Sequence, residues 1–231
     1  MNSSSKLLLP LALFGAAAVA WADGAVRPCC QSAESKPAPR AACCAGATGP
    51  ASTPSPLTRN SLYQFDGDFQ DDAGRKVTLA ELRGRPVLVA MFFSSCTYAC
   101  PMLMSEMAQV RENLPEPLRS RVALVLVSFD SDRDTSDALR AFRSSRGLSP
   151  QWRLWRSDPA TIRGLAAALG VNYRREANGQ FSHSNLLTVL NAEGEIVHRR
   201  EGLAGSLDGV MAALSHAPAG PTVAAADSVR R

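Results

Sequence analysis

The stretch Val87-Leu88-Val89-Ala90-Met91-Phe92-Phe93-Ser94-Ser95-Cys96-Thr97-Tyr98-Ala99-Cys100-Pro101 decides the fold. Seven apolar residues without a polar break, Val87 to Phe93, are what a central strand carries when both of its faces are covered. After Pro101, the residues Leu103, Met107, Val110 and Leu114 recur at intervals of 4, 3 and 4, the stripe of a helix with one buried face. The order is strand, cysteine loop, helix. Loops at the carboxyl ends of parallel strands are where α/β sheets build their sites.

Working outward, Val122 to Val127 predicts a second all-apolar strand, and Asp134 opens a helix whose inner face includes Leu139 and Phe142. Asp158 followed by Pro159 supplies a cap and a first-turn proline; Ile162, Leu165, Ala166 and Leu169 form the stripe, and Gly170 stops the helix. Leu186 to Leu190 and Glu195 to Arg199 flank Asn191-Ala192-Glu193-Gly194, an antiparallel hairpin with glycine at the turn's positive-φ position. A last short helix is expected near Leu207 to Leu214. Upstream, Tyr63 to Val77 holds a turn at Asp71-Asp72-Ala73-Gly74 and reads as a short hairpin. A strand, cysteine loop and helix, then βαα, then a ββ hairpin and a helix, describe an α/β fold: a thioredoxin-like mixed sheet flanked by helices, with an N-terminal hairpin extension.

The flanks read differently. Lys6 precedes the apolar run Leu7 to Ala20, and Ala20-Trp21-Ala22 has the small-x-small pattern of a signal-peptidase site, which predicts cleavage after Ala22. That run has 14 residues and contains Pro10, against the roughly 18 or more of a spanning helix, so any membrane attachment would be through an uncleaved leader. The expected location is periplasmic or otherwise outside the cytoplasmic membrane. Residues 23–60 are rich in Ala, Pro, Ser and Thr with few large apolar side chains, the composition of a tether that cannot offset the entropy of ordering itself. Residues 215–231 resemble it and read as a tail, which leaves 61–214 as the folded domain. Of 231 residues 45% are hydrophobic and 20% charged, enough for one core without disulfide staples. The formal charge is only +4, and the 22 arginines are interspersed with acids, with no single-sign stripe; nucleic acid is not an expected partner.

Chemistry concentrates at Cys96 and Cys100. Free amide N–H groups and the positive end of the coming helix favour thiolate over thiol there, which predicts lowered cysteine pKa values. Three intervening residues put the sulfurs about one helical turn apart, compatible with chelation of one ion and equally with a disulfide. Spacing alone does not choose. A bridge here would close a very small loop and gain little entropy, a poor place for a structural staple. Of the three histidines, His183 stands in the loop Gln180 to Ser184 that faces the cysteine loop in a thioredoxin-like arrangement; His198 lies in a hairpin strand and His216 in the tail. Two thiolates and an imidazole make a soft site with fewer ligands than structural zinc demands. Copper suits it better, because Cu(I) is content with two or three ligands, and two thiolates leave a net charge of −1 with Cu(I) and 0 with Cu(II), a difference small enough to allow both. Met102 and Met104 are read as packing residues, since thioethers in the first turn of a half-buried helix fill core gaps.

These residues resemble the Sco/SenC family of thioredoxin-fold copper chaperones. Cys96-Thr97-Tyr98-Ala99-Cys100-Pro101 matches its Cys-x-x-x-Cys-Pro motif; Ser128-Phe129-Asp130-Ser131-Asp132-Arg133-Asp134-Thr135 resembles its Ser-x-Asp-Pro-x-Arg-Asp-Thr segment; and His183 falls 83 residues after Cys100, where the family's histidine ligand belongs. The likeness implies that Cys96, Cys100 and His183 bind one copper ion, Cu(I) or Cu(II). It also implies that the cysteines cycle between dithiol and disulfide and that the cargo goes to a copper-accepting subunit of cytochrome c oxidase. Two departures stand out: Ser182 occupies the position before the histidine where the family usually has Asp, and Ser131 replaces a proline. The alternative is a thiol–disulfide oxidoreductase that reduces cysteines of a partner protein. Such enzymes resemble one another in a Cys-x-x-Cys spacing and a cis-proline in the facing loop, and Phe181 to Asn185 contains no proline. A peroxiredoxin-like peroxidase fits less well, for the residues before Cys96 do not match that family's Pro-x-x-x-Thr-x-x-Cys loop. Cys29-Cys30 and Cys43-Cys44, in the tether, are candidates for a second soft-metal site, mutual bridges, an electron relay to the main pair, or adventitious thiols.

Overall fold

The strand β3 (Val87–Phe92) buries every one of its side chains, so it needs a neighbour on each edge and cover on each face. The computed structural model, which describes residues 56–217, supplies both. On one edge lies β4 (Ala123–Ser128), parallel and in register from Val87 opposite Ala123 to Phe92 opposite Ser128; on the other lies antiparallel β8 (Leu186–Leu190). The hairpin β1 (Phe69–Asp71) and β2 (Lys76–Val77), the strand β5 (Trp152–Arg156), and the outer strand β9 (Ile196–Glu201) complete a seven-stranded mixed sheet of order β2-β1-β5-β4-β3-β8-β9. The helices α1 (Ala99–Asn113), α3 (Ser136–Arg146), α4 (Pro159–Leu169) and α5 (Asp208–His216) add buried apolar side chains to a single core, and a four-residue turn, α2 (Leu118–Arg121), follows α1. None of the helices among the described residues is long and apolar enough to cross a membrane.

Most expected elements form for the reasons their sequences give. Asp158 caps α4 by accepting from the N–H groups of Ala160 and Thr161. Gly170 ends that helix with φ 84°, a left-handed conformation that favours glycine.

Four expectations are corrected. The βαα reading omits β5, which pairs in parallel with β4 between α3 and α4; Trp152, Leu154 and Trp155 are buried while Arg153 and Arg156 are only half covered, so no unbroken apolar run announces it. Asp134 does not open α3. Thr135 is the cap, its hydroxyl accepting from the Ala138 N–H, and Asp134 turns into the protein. His183 is not in a loop but ends β7 (Phe181–His183), which pairs with β6 (Tyr173–Arg175) in a separate two-stranded sheet. Finally, α5 continues to His216, beyond the expected start of the tail. At the other boundary Leu57 packs on the core and Thr58 bonds to Glu195, so the last residues before position 61 are attached to the domain. The leader, Cys29, Cys30, Cys43, Cys44 and the rest of the tail lie outside the described residues.

The helix α1 also hides a charge. Glu106 lies among the buried residues Leu103, Met107 and Val110, its carboxylate paired with Arg200 of β9 and accepting the Ala204 N–H at 2.7 Å. A buried ion pair is tolerable only when its remaining bonding capacity is met. Arg200 meets part of its own by donating to the Gly202 carbonyl at 2.7 Å.

Candidate metal centre

The chain leaves β3 at Phe92 and enters α1 at Ala99, and the turn between them carries Cys96 while the first helical turn carries Cys100. The Cys96 N–H bonds to the Phe93 carbonyl at 3.1 Å, and the Cys100 N–H points at the Cys96 sulfur at 3.3 Å. A helix N-terminal N–H is a donor without an intrahelical partner, and here a sulfur takes it. Cys96 is 8% exposed and Cys100 1%, both as free thiols. The expectation of lowered pKa is corrected for Cys100: burial pushes its thiol far above the ordinary range, the bond from the Phe93 backbone opposes this, and Cys96 and the Asp134 charge reinforce it. Removal from water outweighs the helix terminus. Between the two cysteines Tyr98 is 72% exposed.

His183 arrives from the other side. Alternation along β7 puts Phe181 and His183 on one face and Ser182 on the other, exposed face. The imidazole packs against Phe129 and Phe93, with ring centroids 5.1 and 6.0 Å away, while Phe129 also stacks on Tyr173 at 5.1 Å. Its Nδ1 lies 3.1 Å from the Ser184 carbonyl. A carbonyl can only accept, so Nδ1 carries the proton and the lone pair is left at Nε2. This backbone oxygen does the orienting that Ser182 cannot do as a carboxylate would. Burial lowers the pKa of His183, with the Ser184 bond opposing, which favours the neutral ring that a metal requires. An open groove of about 420 Å³, bordered by Tyr173, Arg174 and Ser182, runs beside it.

Cys96, Cys100 and His183 thus converge: each offers one ligand atom, and those atoms all lie within 4.8 Å of one another. Sequence reasoning did not identify the residues that hold these two arms. Asp134 is buried, and its carboxylate accepts the Ser94 N–H at 2.9 Å and the hydroxyls of Ser94 and Ser128, tying the cysteine loop to the end of β4. Arg133, one residue earlier, pairs with Asp130 and donates to the Gly179 carbonyl at 2.6 Å in the β6–β7 turn, its guanidinium 5.9 Å from the Phe181 ring centre. Two consecutive side chains therefore reach the two sides of one site. The run Ser128 to Thr135 reads as a motif, but nothing in it shows which polar side chain turns inward.

A strand-to-helix cysteine pair facing a hairpin histidine on a thioredoxin-like sheet is the layout of a soft-metal or thiol-redox centre. The SCO1/SenC family model matches residues 58–215, and the chain belongs to that family. A protein of Stutzerimonas stutzeri, whose name marks it as a proposed copper-binding protein, is 29% identical over 138 residues, 56% of this chain; the match spans 64% of that relative, just under two thirds of its length. The structure of Arabidopsis thaliana ScoI with copper bound is 20% identical, with a TM-score of 0.57 over 63% of this chain and 91% of that one. BsSco, a member of the Sco family of cytochrome c oxidase assembly proteins with an identified disulfide switch, is also 20% identical, with a TM-score of 0.57 over 67% of this chain and 93% of that one. These two likenesses establish the fold.

Proposed function

We propose that this chain is an exported copper metallochaperone that binds one copper ion through the sulfurs of Cys96 and Cys100 and Nε2 of His183 and helps assemble the copper centre of cytochrome c oxidase. The observation that carries the reading is the approach of three soft-metal ligand atoms to within 4.8 Å, from parts of the chain more than 80 residues apart. Thiolates and imidazole together suit Cu(I) and Cu(II), and a low ligand number leaves room for an incoming ligand from the recipient. The copper bound by Arabidopsis ScoI and the assembly role of the BsSco family support the cargo and the recipient. The leader supports export with cleavage after Ala22.

The same cysteines also suit dithiol/disulfide cycling. The Cys96 thiolate, the more exposed of the two, attacks a partner's disulfide to give a mixed disulfide; Cys100 then displaces the partner's second thiol, so two electrons and two protons pass to the partner. Copper acceptance needs reduced cysteines in the recipient, so this reaction serves delivery. A thiol-reducing partner would return Cys96 and Cys100 to the dithiol.

The test is titration of reduced protein with Cu(I) and Cu(II) under chelator competition, repeated with His183→Ala. The proposal expects one ion per chain and an affinity at least about tenfold weaker in the variant, equivalent to 1.4 kcal/mol or more. Unchanged affinity in His183→Ala, with disulfide exchange intact, would leave the oxidoreductase as the function.

A further inference from the structure

The buried carboxylate of Asp134 is not needed for chelation, yet it sits directly behind the cysteine loop. The residue is 1% exposed. One of its oxygens accepts the Ser94 hydroxyl, and the other accepts the Ser94 N–H and the Ser128 hydroxyl. All three donors are neutral. Arg156, the guanidinium that bonds to this residue, donates to its main-chain carbonyl at 2.8 Å and not to its carboxylate. Ser94 stands two residues before Cys96, so the carboxylate lies against the backbone of the loop that carries the first sulfur. An anion buried among neutral donors is expensive to keep, and in a low-dielectric interior it acts over a longer range than a surface charge.

We propose that Asp134 sets which oxidation state of copper the site prefers, by repelling the cuprous complex and sparing the cupric one. The proposal rests on Cys96, Cys100 and His183 being the ligands. Two thiolates around Cu(II) and a neutral imidazole make a neutral complex, on which a nearby fixed anion has little effect. The same ligands around Cu(I) leave one net negative charge, which the anion disfavours. Asp134 is then a specificity-determining residue that never touches the ion.

The hydrogen bonds allow charge and position to be separated. In Asp134→Asn the amide oxygen can still accept from the Ser94 N–H and the Ser128 hydroxyl, while the amide nitrogen donates to the Ser94 oxygen. The framework is kept and the charge is lost. Dissociation constants for Cu(I) and Cu(II) are measured by chelator competition on wild type, Asp134→Asn, Asp134→Ser as a second neutral variant, and Asp134→Glu. Circular dichroism and melting confirm folding, so that Asp134→Ser carries the comparison if Asn disturbs the fold. Because Cu(II) can oxidise a dithiol, the comparison is repeated with Ag(I) and Co(II), ions of the same two charges that leave thiols reduced.

The expected result is Cu(I) binding strengthened on the order of tenfold in the neutral variants, the size of effect a nearby charge has at an effective dielectric constant near 20. Cu(II) binding should change little, Ag(I) and Co(II) should show the same divergence, and Asp134→Glu should keep the wild-type ratio. An unchanged ratio in the folded neutral variants, or an equal loss of both ions, overturns the proposal and leaves Asp134 a merely positional residue. Wild-type protein that binds neither ion at Cys96, Cys100 and His183 overturns the ligand reading first, and this inference with it.

Discussion

The two arms of the site are built to different standards. The cysteine arm grows out of a central strand bonded on both edges and runs into a helix that buries Leu103, Met107 and Val110, while Asp134 ties its loop from beneath. The histidine arm is a hairpin of two three-residue strands outside the main sheet, held by aromatic contacts to Phe93 and Phe129 and by the Arg133 bond to its turn. A two-stranded ribbon alone is marginal in water. The difference implies that the sulfurs wait in place while the imidazole is brought to them by side-chain packing.

The largest expected effect tests the firm arm. Glu106→Ala strands Arg200 in a buried position without its partner and should cost about 3–5 kcal/mol in urea unfolding. A loss below about 1 kcal/mol, the range of exposed pairs, would mean that α1 is not anchored there. Next comes the loose arm. Phe129→Leu should cost only about 1 kcal/mol in stability but weaken copper binding, because the ring that backs His183 changes shape. Equal copper affinity would show that the hairpin does not depend on that packing. Hydrogen exchange should show the same ranking without mutation, with the amides that bond β6 to β7 exchanging well before those of β3 and β4. Equal protection would abolish the contrast between the arms.

These effects also show what the sequence made legible. The all-apolar strands, the Asp158 cap and the Gly170 stop could be read because each depends on residues close in the chain. The strand β5 could not, because Arg153 and Arg156 interrupt its apolar pattern, and Arg156 finds its partners in Gln70, Ser131 and Asp134, some of them far away in the chain. The hairpin under His183 did leave a signal: Asn178-Gly179, a favoured hairpin turn, lies between Tyr173–Arg175 and Phe181–His183, and Gly179 has φ 76°. Cys96, Cys100 and His183 were legible as chemistry. Asp134, Phe129 and the Ser184 carbonyl were not, since their roles consist of contacts made only after folding.

Two smaller effects complete the comparison. Asp158 caps α4, and its pKa is lowered to about 2 by the Thr161 hydroxyl and the N–H groups of Thr161 and Ala160. Its folded value lies below the ordinary 3.8, so its stabilisation is present above that value and is lost as pH falls toward about 2. Asp158→Ala should therefore melt lower than wild type at neutral pH, and the difference should disappear near pH 2. A difference that persists in acid would assign the effect to packing. The smallest change is expected from Ser182→Asp, which restores the family's usual carboxylate on the exposed face of β7 while Nδ1 of His183 is already held by Ser184. Copper affinity should stay near wild type, and a marked gain would show that the backbone carbonyl holds the ring too weakly.

The outward stance of Tyr98 has a consequence for how such a loop can diversify. A three-residue spacer sends both sulfurs inward and leaves one aromatic ring at the surface, 72% exposed. Under the proposed function only the inward sulfurs of this segment grip the ion, so the side chain at position 98 is free to vary without changing the ligands.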